Sequence, residues 1–180
     1  MYKRNLLLFV ISVSVICCLF GSGYAVSEEV RRTFPMAKLV FIIQPDKTEY
    51  HLGEKIVLRG ILRNQSKTTL TVNSKFLLKG SEIEAGGWGI ALKIVSPSDK
   101  KIEIGWLYEV SDPVSDWFVL LAPGKEYSSD IWGNIGAHCK ETGTYRLTAY
   151  YYNFIGETLG IEAWKGSIES NTVKIHIRSS

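Results

Sequence analysis

From Ala37 onward, apolar and polar residues alternate with a period of two, and no stripe with helical spacing stands out. Ala37 to Ile43 is a β-rich run closed by Gln44, Pro45 and Asp46. Between Glu54 and Asn64, Ile56, Leu58, Gly60 and Leu62 oppose Val57, Arg59, Ile61 and Arg63. Leu70 and Val72 turn inward against Thr69 and Thr71, and Trp88, Ile90, Leu92 and Ile94 share one side of the next run. Ser96 to Asp99 predicts a turn into a strand carrying Ile102, Ile104 and Trp106, so the two runs form a hairpin. After a loop from Glu109 to Asp116, Trp117 to Leu121 is apolar and Ala122 to Lys125 turns it sharply into Tyr127, Ser129 and Ile131. Val173, Ile175 and Ile177 then alternate with Lys174, His176 and Arg178, the pattern of a half-buried antiparallel strand.

Such a chain predicts an all-β fold: a two-sheet immunoglobulin-like sandwich of about seven to nine antiparallel strands over residues 37–180. A closed barrel fits the same strand count and alternation. The stretch from Glu141 to Asn153 reads as the sixth strand of a disulfide-free sandwich, the alternative being an ordinary strand with a chance tyrosine. Tyr145, Leu147, Ala149 and Tyr151 face one way, and Arg146, Thr148, Tyr150 and Tyr152 the other. Tyr145 stands two residues before the position where an immunoglobulin domain carries its second disulfide cysteine, the place of a tyrosine corner. Leu147 occupies that cysteine position and Leu58 the partner position, so apolar packing replaces the cross-link. Gly143 permits a close chain approach just before the strand.

The first 25 residues follow a different rule. Lys3 and Arg4, the apolar run from Leu6 to Phe20, and the small Gly23 and Ala25 form a signal-peptide pattern. The run falls short of the roughly 18–20 residues that span a bilayer. The mature protein is therefore expected to be exported, periplasmic or secreted, with no integral membrane anchor after cleavage. A retained anchor and an acylated Cys18 are the competing readings. Against acylation, bulky Ile16 and Cys17 precede Cys18 where small residues are usual. Residues 26–36 form a short lead-in arm.

Removing residues 1–25 takes away Lys3 and Arg4 and no acid, so net charge falls from +3 to about +1. No block of like charge remains to attract nucleic acid or an anionic membrane surface. Of three cysteines only Cys139 survives, which excludes an intrachain disulfide. Its polar, turn-like setting suggests exposure, with no functional role.

Three phrases carry a resemblance. Tyr50 to Ser66 (YHLGEKIVLRGILRNQS), Leu120 to Tyr127 (LLAPGKEY) and Ala163 to Ile177 (AWKGSIESNTVKIHI) resemble bacterial exported immunoglobulin-like modules. More loosely, the chain resembles the intracellular proteinase inhibitor family of bacilli, which shares the sandwich and a G-x-Y-x-L strand. The resemblance implies a fold and no particular activity, and no inhibitory loop carries over.

Catalytic signatures are sparse: there is no G-x-S-x-G, no H-E-x-x-H and no phosphate-cradling glycine loop. His138 and Cys139 are adjacent on an extended chain and point apart. A metal there needs further ligands, such as Glu141 or Asp130, that the spacing does not require. No catalytic residue, metal or cofactor is therefore expected. Asn64-Gln65-Ser66 matches an N-glycosylation acceptor and reads as coincidence. Five tryptophans and nine tyrosines leave aromatics to spare for contacts. Tyr150 and Tyr152, on the non-core face, and Trp164, in the last long connection, are the candidate ligand or partner contacts. The expected function is a non-catalytic exported binding module presenting loops and a sheet face to a protein partner. Carbohydrate binding through the exposed aromatics and inhibition of an extracellular protease are the alternatives.

Overall fold

The computed structural model describes residues 38–105 and 114–179. The expectations for the signal peptide, the lead-in arm, Trp106 and most of the Glu109–Asp116 loop lie outside the described residues. Among the described residues eleven strands run in order: β1 (Leu39–Pro45), β2 (Glu49–His51), β3 (Leu58–Asn64), β4 (Leu70–Asn73), β5 (Leu78–Gly80), β6 (Trp88–Val95), β7 (Lys101–Ile102), β8 (Phe118–Leu121), β9 (Glu126–Asp130), β10 (Gly143–Asn153) and β11 (Gly166–Arg178). Three short 3-10 turns, Ser115–Trp117, Ile135–His138 and Glu157–Leu159, are the only helical elements among the described residues. The count exceeds the expected seven to nine because β2, β5 and β7 are pieces of two or three residues, too short to show a period in the sequence.

The strands form one sheet ordered β1-β3-β9, a second ordered β2-β11-β10-β6-β5 with β7 on β6, and the separate pair β4-β8. This is the immunoglobulin arrangement, with A-B-E strands in one layer and C-F-G strands in the other. Two features modify it. The connection between the B-position strand β3 and the C-position strand β6 holds β4 and β5, and β8 pairs with β4 instead of β9. Pairing is antiparallel except for β2 on β11 and β5 on β6.

The barrel reading gives way to open sheets. Where β1 passes β11, no backbone ladder closes the gap. Instead the Asn171 side chain imitates a rung: its Oδ1 accepts from Ile43 N at 2.9 Å and its Nδ2 donates to Ile43 O at 3.1 Å. One amide thus satisfies both main-chain groups at that edge position.

Between the layers lies the core predicted from the alternation: Phe41, Ile43, Leu58, Leu62, Ile90, Leu92, Ile94, Tyr145, Leu147, Ile175 and Ile177 are all buried. Phe76, carried by the β4–β5 connection, stands edge-on to Phe41, Tyr127 and Tyr151 at 5.7–5.9 Å between ring centres. Leu58 and Leu147, at the two disulfide positions, are fully buried. Burying a leucine contributes about 1.5–3 kcal/mol, so the two together, about 3–6 kcal/mol, are at least comparable with the ~2–4 kcal/mol typical of a disulfide.

Candidate binding surface

Strand β10 supplies most of the sequence-predicted residues, and its two ends are held differently. At its start, the Tyr145 hydroxyl donates to Glu141 O at 3.0 Å and accepts from Glu141 N at 2.8 Å, closing a tyrosine corner around a fully buried ring. Gly143, at φ +122°, lets the chain pass Pro97: a Cβ there would stand 2.8 Å from the Pro97 Cβ. Further along, the buried Tyr151 hydroxyl exchanges two 3.0 Å hydrogen bonds with the main chain of Asn73. The Asn73 Nδ2 donates to Asn153 Oδ1, and the Asn153 Nδ2 donates to Ile155 O and Trp164 O. These buried polar groups serve the framework, leaving none of their hydrogen-bonding capacity directed outward.

The three candidate contacts do not form one patch. Tyr150 is half-buried on the outer face of its sheet, and burial, then the charge of Glu169, raises its hydroxyl pKa. Tyr152, expected on an open face, is fully buried. Its ladder partner is Gly89, and the space above that glycine is filled by the Tyr152 hydroxyl and by the Lys79 side chain from β5. Phe154 lies 6.3 Å from the Tyr152 ring, ring centre to centre. Burial, followed by the charge of Glu84, pushes the Tyr152 hydroxyl up to about 12, and the hydroxyl has no hydrogen-bond partner among the described residues. Trp164 faces the other way. Its ring packs 5.7 Å from Tyr151 and its main-chain N–H donates to Thr71 O, so it plugs the end of the sandwich. Period-two patterning identified the outward side of β10 but carried no information on the Lys79 side chain that β5, next to β6 in the same sheet, lays across that face.

Cys139 also departs from expectation: it is buried. The turn Ile135–His138 tucks Ile135 and Gly136 beneath the segment at Glu54, which draws the next residue into the core. Burial pushes the thiol up to about 11 from an ordinary 9.0, with Lys140 opposing. The sign follows. Below pH 9 both states hold the proton and nothing is lost. Between 9 and about 11 only the unfolded chain ionises, so stability falls with rising pH. Urea unfolding of the wild type and of Cys139→Ala, compared from about pH 8 to about pH 10, is expected to show the wild type losing more. A constant difference would contradict burial of the thiol.

His138 is half-buried beside it, and among the described residues no three His, Cys, Asp or Glu side chains converge on a metal position. The glycosylation triplet has a structural use: the Asn64 amide is wholly buried and donates to Thr68 O at 2.8 Å and Leu121 O at 2.7 Å.

What the sequence reading missed are two large apolar residues left in solvent, one on β8 and one just past the end of β9. Leu120 on β8 is 77% exposed and Trp132 is 71% exposed. The Trp132 main chain is held by two bonds to one neighbouring segment, its N–H donating to Phe76 O at 2.8 Å and its carbonyl accepting from Leu78 N at 3.0 Å. A signal existed for Trp132: inward Tyr127, Ser129 and Ile131 put the next residue outward. For Leu120 there was none, because Trp117 to Leu121 is apolar throughout.

No protein-family model matches this sequence, and no curated protein does. Among solved structures, the chain is similar to the CARDB domain of a Pyrococcus furiosus protein, determined in complex with di-metal ions. The two are 13% identical over 82% of this chain and 99% of that one, with a TM-score of 0.35, a likeness too loose to carry an argument about function.

Proposed function

We propose that this chain is an exported, non-catalytic interaction module that engages a protein partner along strand β8. Export rests on the pattern of Lys3, Arg4, the Leu6–Phe20 apolar run and the small residues at Gly23 and Ala25. The contact rests on one observation: among the described residues, Leu120 is the most exposed large apolar residue and its strand is paired on one flank only, to β4. An apolar edge of this kind offers main-chain hydrogen bonds to an added strand and a side-chain anchor beside them. The framework role of Tyr145, Tyr151, Asn64 and Asn153 supports a binding reading, since their polar groups are consumed in holding loops and strands in place.

The test uses the mature chain as bait in periplasmic extract and culture medium. The wild type is expected to retain a partner that Leu120→Glu releases, while both variants melt at the same temperature within a few degrees, as exposed substitutions do. A partner held equally by both, or no partner and no phenotype on deletion, would overturn the assignment.

A further inference from the structure

The register of the other layer brings a second surface together, independent of β8. Glu126, Ser128 and Asp130 of β9 point outward, and their rungs continue across β3 and β1 as Arg63 and Val40, Ile61 and Ile42, Arg59 and Gln44. Residues on one rung project from the same side of the sheet. Ile131 N donates to Leu58 O at 2.7 Å, so the ladder runs one step past β9 and Trp132 projects from the face that carries Asp130 and Arg59. Asp130 lies about 6–7 Å away along the strand. Half-buried Val57 continues the same face beyond them.

We propose that this face, at Trp132, binds a neutral hexopyranose chain. A sugar ring presents a flat face of C–H groups bordered by hydroxyls. Stacking it on an indole removes apolar area from water, and groups that both donate and accept must meet the rim. Trp132 supplies the plane, Arg59 and Asp130 supply donors and acceptors on the neighbouring rung, and Gln44 extends that rung about 10 Å across the sheet from Asp130. Arg59 and Asp130 stand 3.5 Å apart with both side chains more than half exposed, so their pairing is weak and hydroxyls can displace it. Their charges cancel, which leaves nothing to attract an acidic glycan. A protein hot spot has another form, an aromatic residue at the centre of a desolvated apolar pocket. Trp132 stands at the margin of its face, next to charged residues.

The experiment titrates the mature chain with cello-, laminari- and chito-oligosaccharides, with polygalacturonate as the acidic control, following tryptophan fluorescence and affinity electrophoresis. At least one neutral oligosaccharide is expected to bind. Trp132→Ala is expected to weaken that binding about tenfold or more, Trp132→Phe to retain part of it, and Trp164→Ala to leave it intact if that variant folds. No response to any neutral glycan, binding that survives Trp132→Ala, or equal binding of polygalacturonate would each overturn the proposal. So would a protein partner whose capture needs Trp132. The β8 reading stands or falls separately, because its bait variant is Leu120→Glu.

Discussion

Gly136→Ala is expected to prevent the chain from folding. A Cβ on Gly136 would stand 2.0 Å from the carbonyl oxygen of Glu54 and 3.1 Å from its carbon. Both are main-chain atoms, so no side-chain rotation relieves the overlap and one of the two segments has to move. Neither can move without loss. On one side Ile135 and Cys139 are buried within three residues of the glycine; on the other Ile56 and Leu58 follow Glu54 into the core. Withdrawing one large aliphatic side chain costs about 2–5 kcal/mol, against a total of about 5–15 kcal/mol for a domain. Displacing either segment withdraws more than one buried side chain. Gly124→Ala is the control: φ is +71° there, but open space surrounds the position, so only backbone strain of about 1–2 kcal/mol is expected. Circular dichroism melting of the two variants beside the wild type decides the matter. A cooperative Gly136→Ala transition within a few degrees of the wild type would show that the turn does not pack against Glu54.

That turn also shows where the sequence stops being readable. Alternation is a local property of a strand and its own sheet, so it identified the inward set Tyr145, Leu147 and Tyr151 and the outward set containing Tyr150. The corner made by Tyr145 was legible for the same reason, since its hydroxyl partner lies only four residues upstream. What buries Tyr152 and Cys139 comes from far away in the chain: Lys79 over one, the Glu54 segment over the other. Polarity of the flanking residues suggested exposure of Cys139, yet burial there is set by how closely two main chains approach, which depends on a glycine. The parallel pairings of β2 and β5 were hidden for a related reason: two or three residues fix no register by themselves. Conversely, Trp132 was readable and was passed over because it follows a strand whose inward residues, Tyr127 and Ile131, account for the pattern without it.

The second large effect is expected from Asn64→Asp, and it is expected to depend on pH. Asn64 ends β3 and joins four pieces of chain. Its Nδ2 donates to Thr68 O and Leu121 O, its Oδ1 accepts from Ser66 N at 2.9 Å and from the Ser66 hydroxyl at 2.6 Å, and its main chain bonds Gly124 and Lys125 in the β8–β9 turn. Aspartate has the same shape and preserves the contacts to Ser66. On the other side it replaces an NH2 group by an oxygen facing two carbonyl oxygens, in a position with no exposure to water. The ionised form there has two repelling dipoles and no solvation, so the folded protein holds the acid protonated and raises its pKa above the ~3.9 of the unfolded chain. Below about pH 3.9 both states carry the proton, and the variant is worse than the wild type only by one missing donor. As pH rises past that value the unfolded state alone ionises, and the difference grows by about 1.4 kcal/mol per unit until the folded pKa is reached. Urea unfolding at about pH 3 and about pH 7 is therefore expected to show a modest deficit at the first and a deficit of several kcal/mol at the second, after subtraction of the wild-type pH dependence. A difference that stays flat across that range would mean that the amide is not held between Thr68 and Leu121, and that the junction of β3, β8 and the β8–β9 turn rests on main-chain bonds alone.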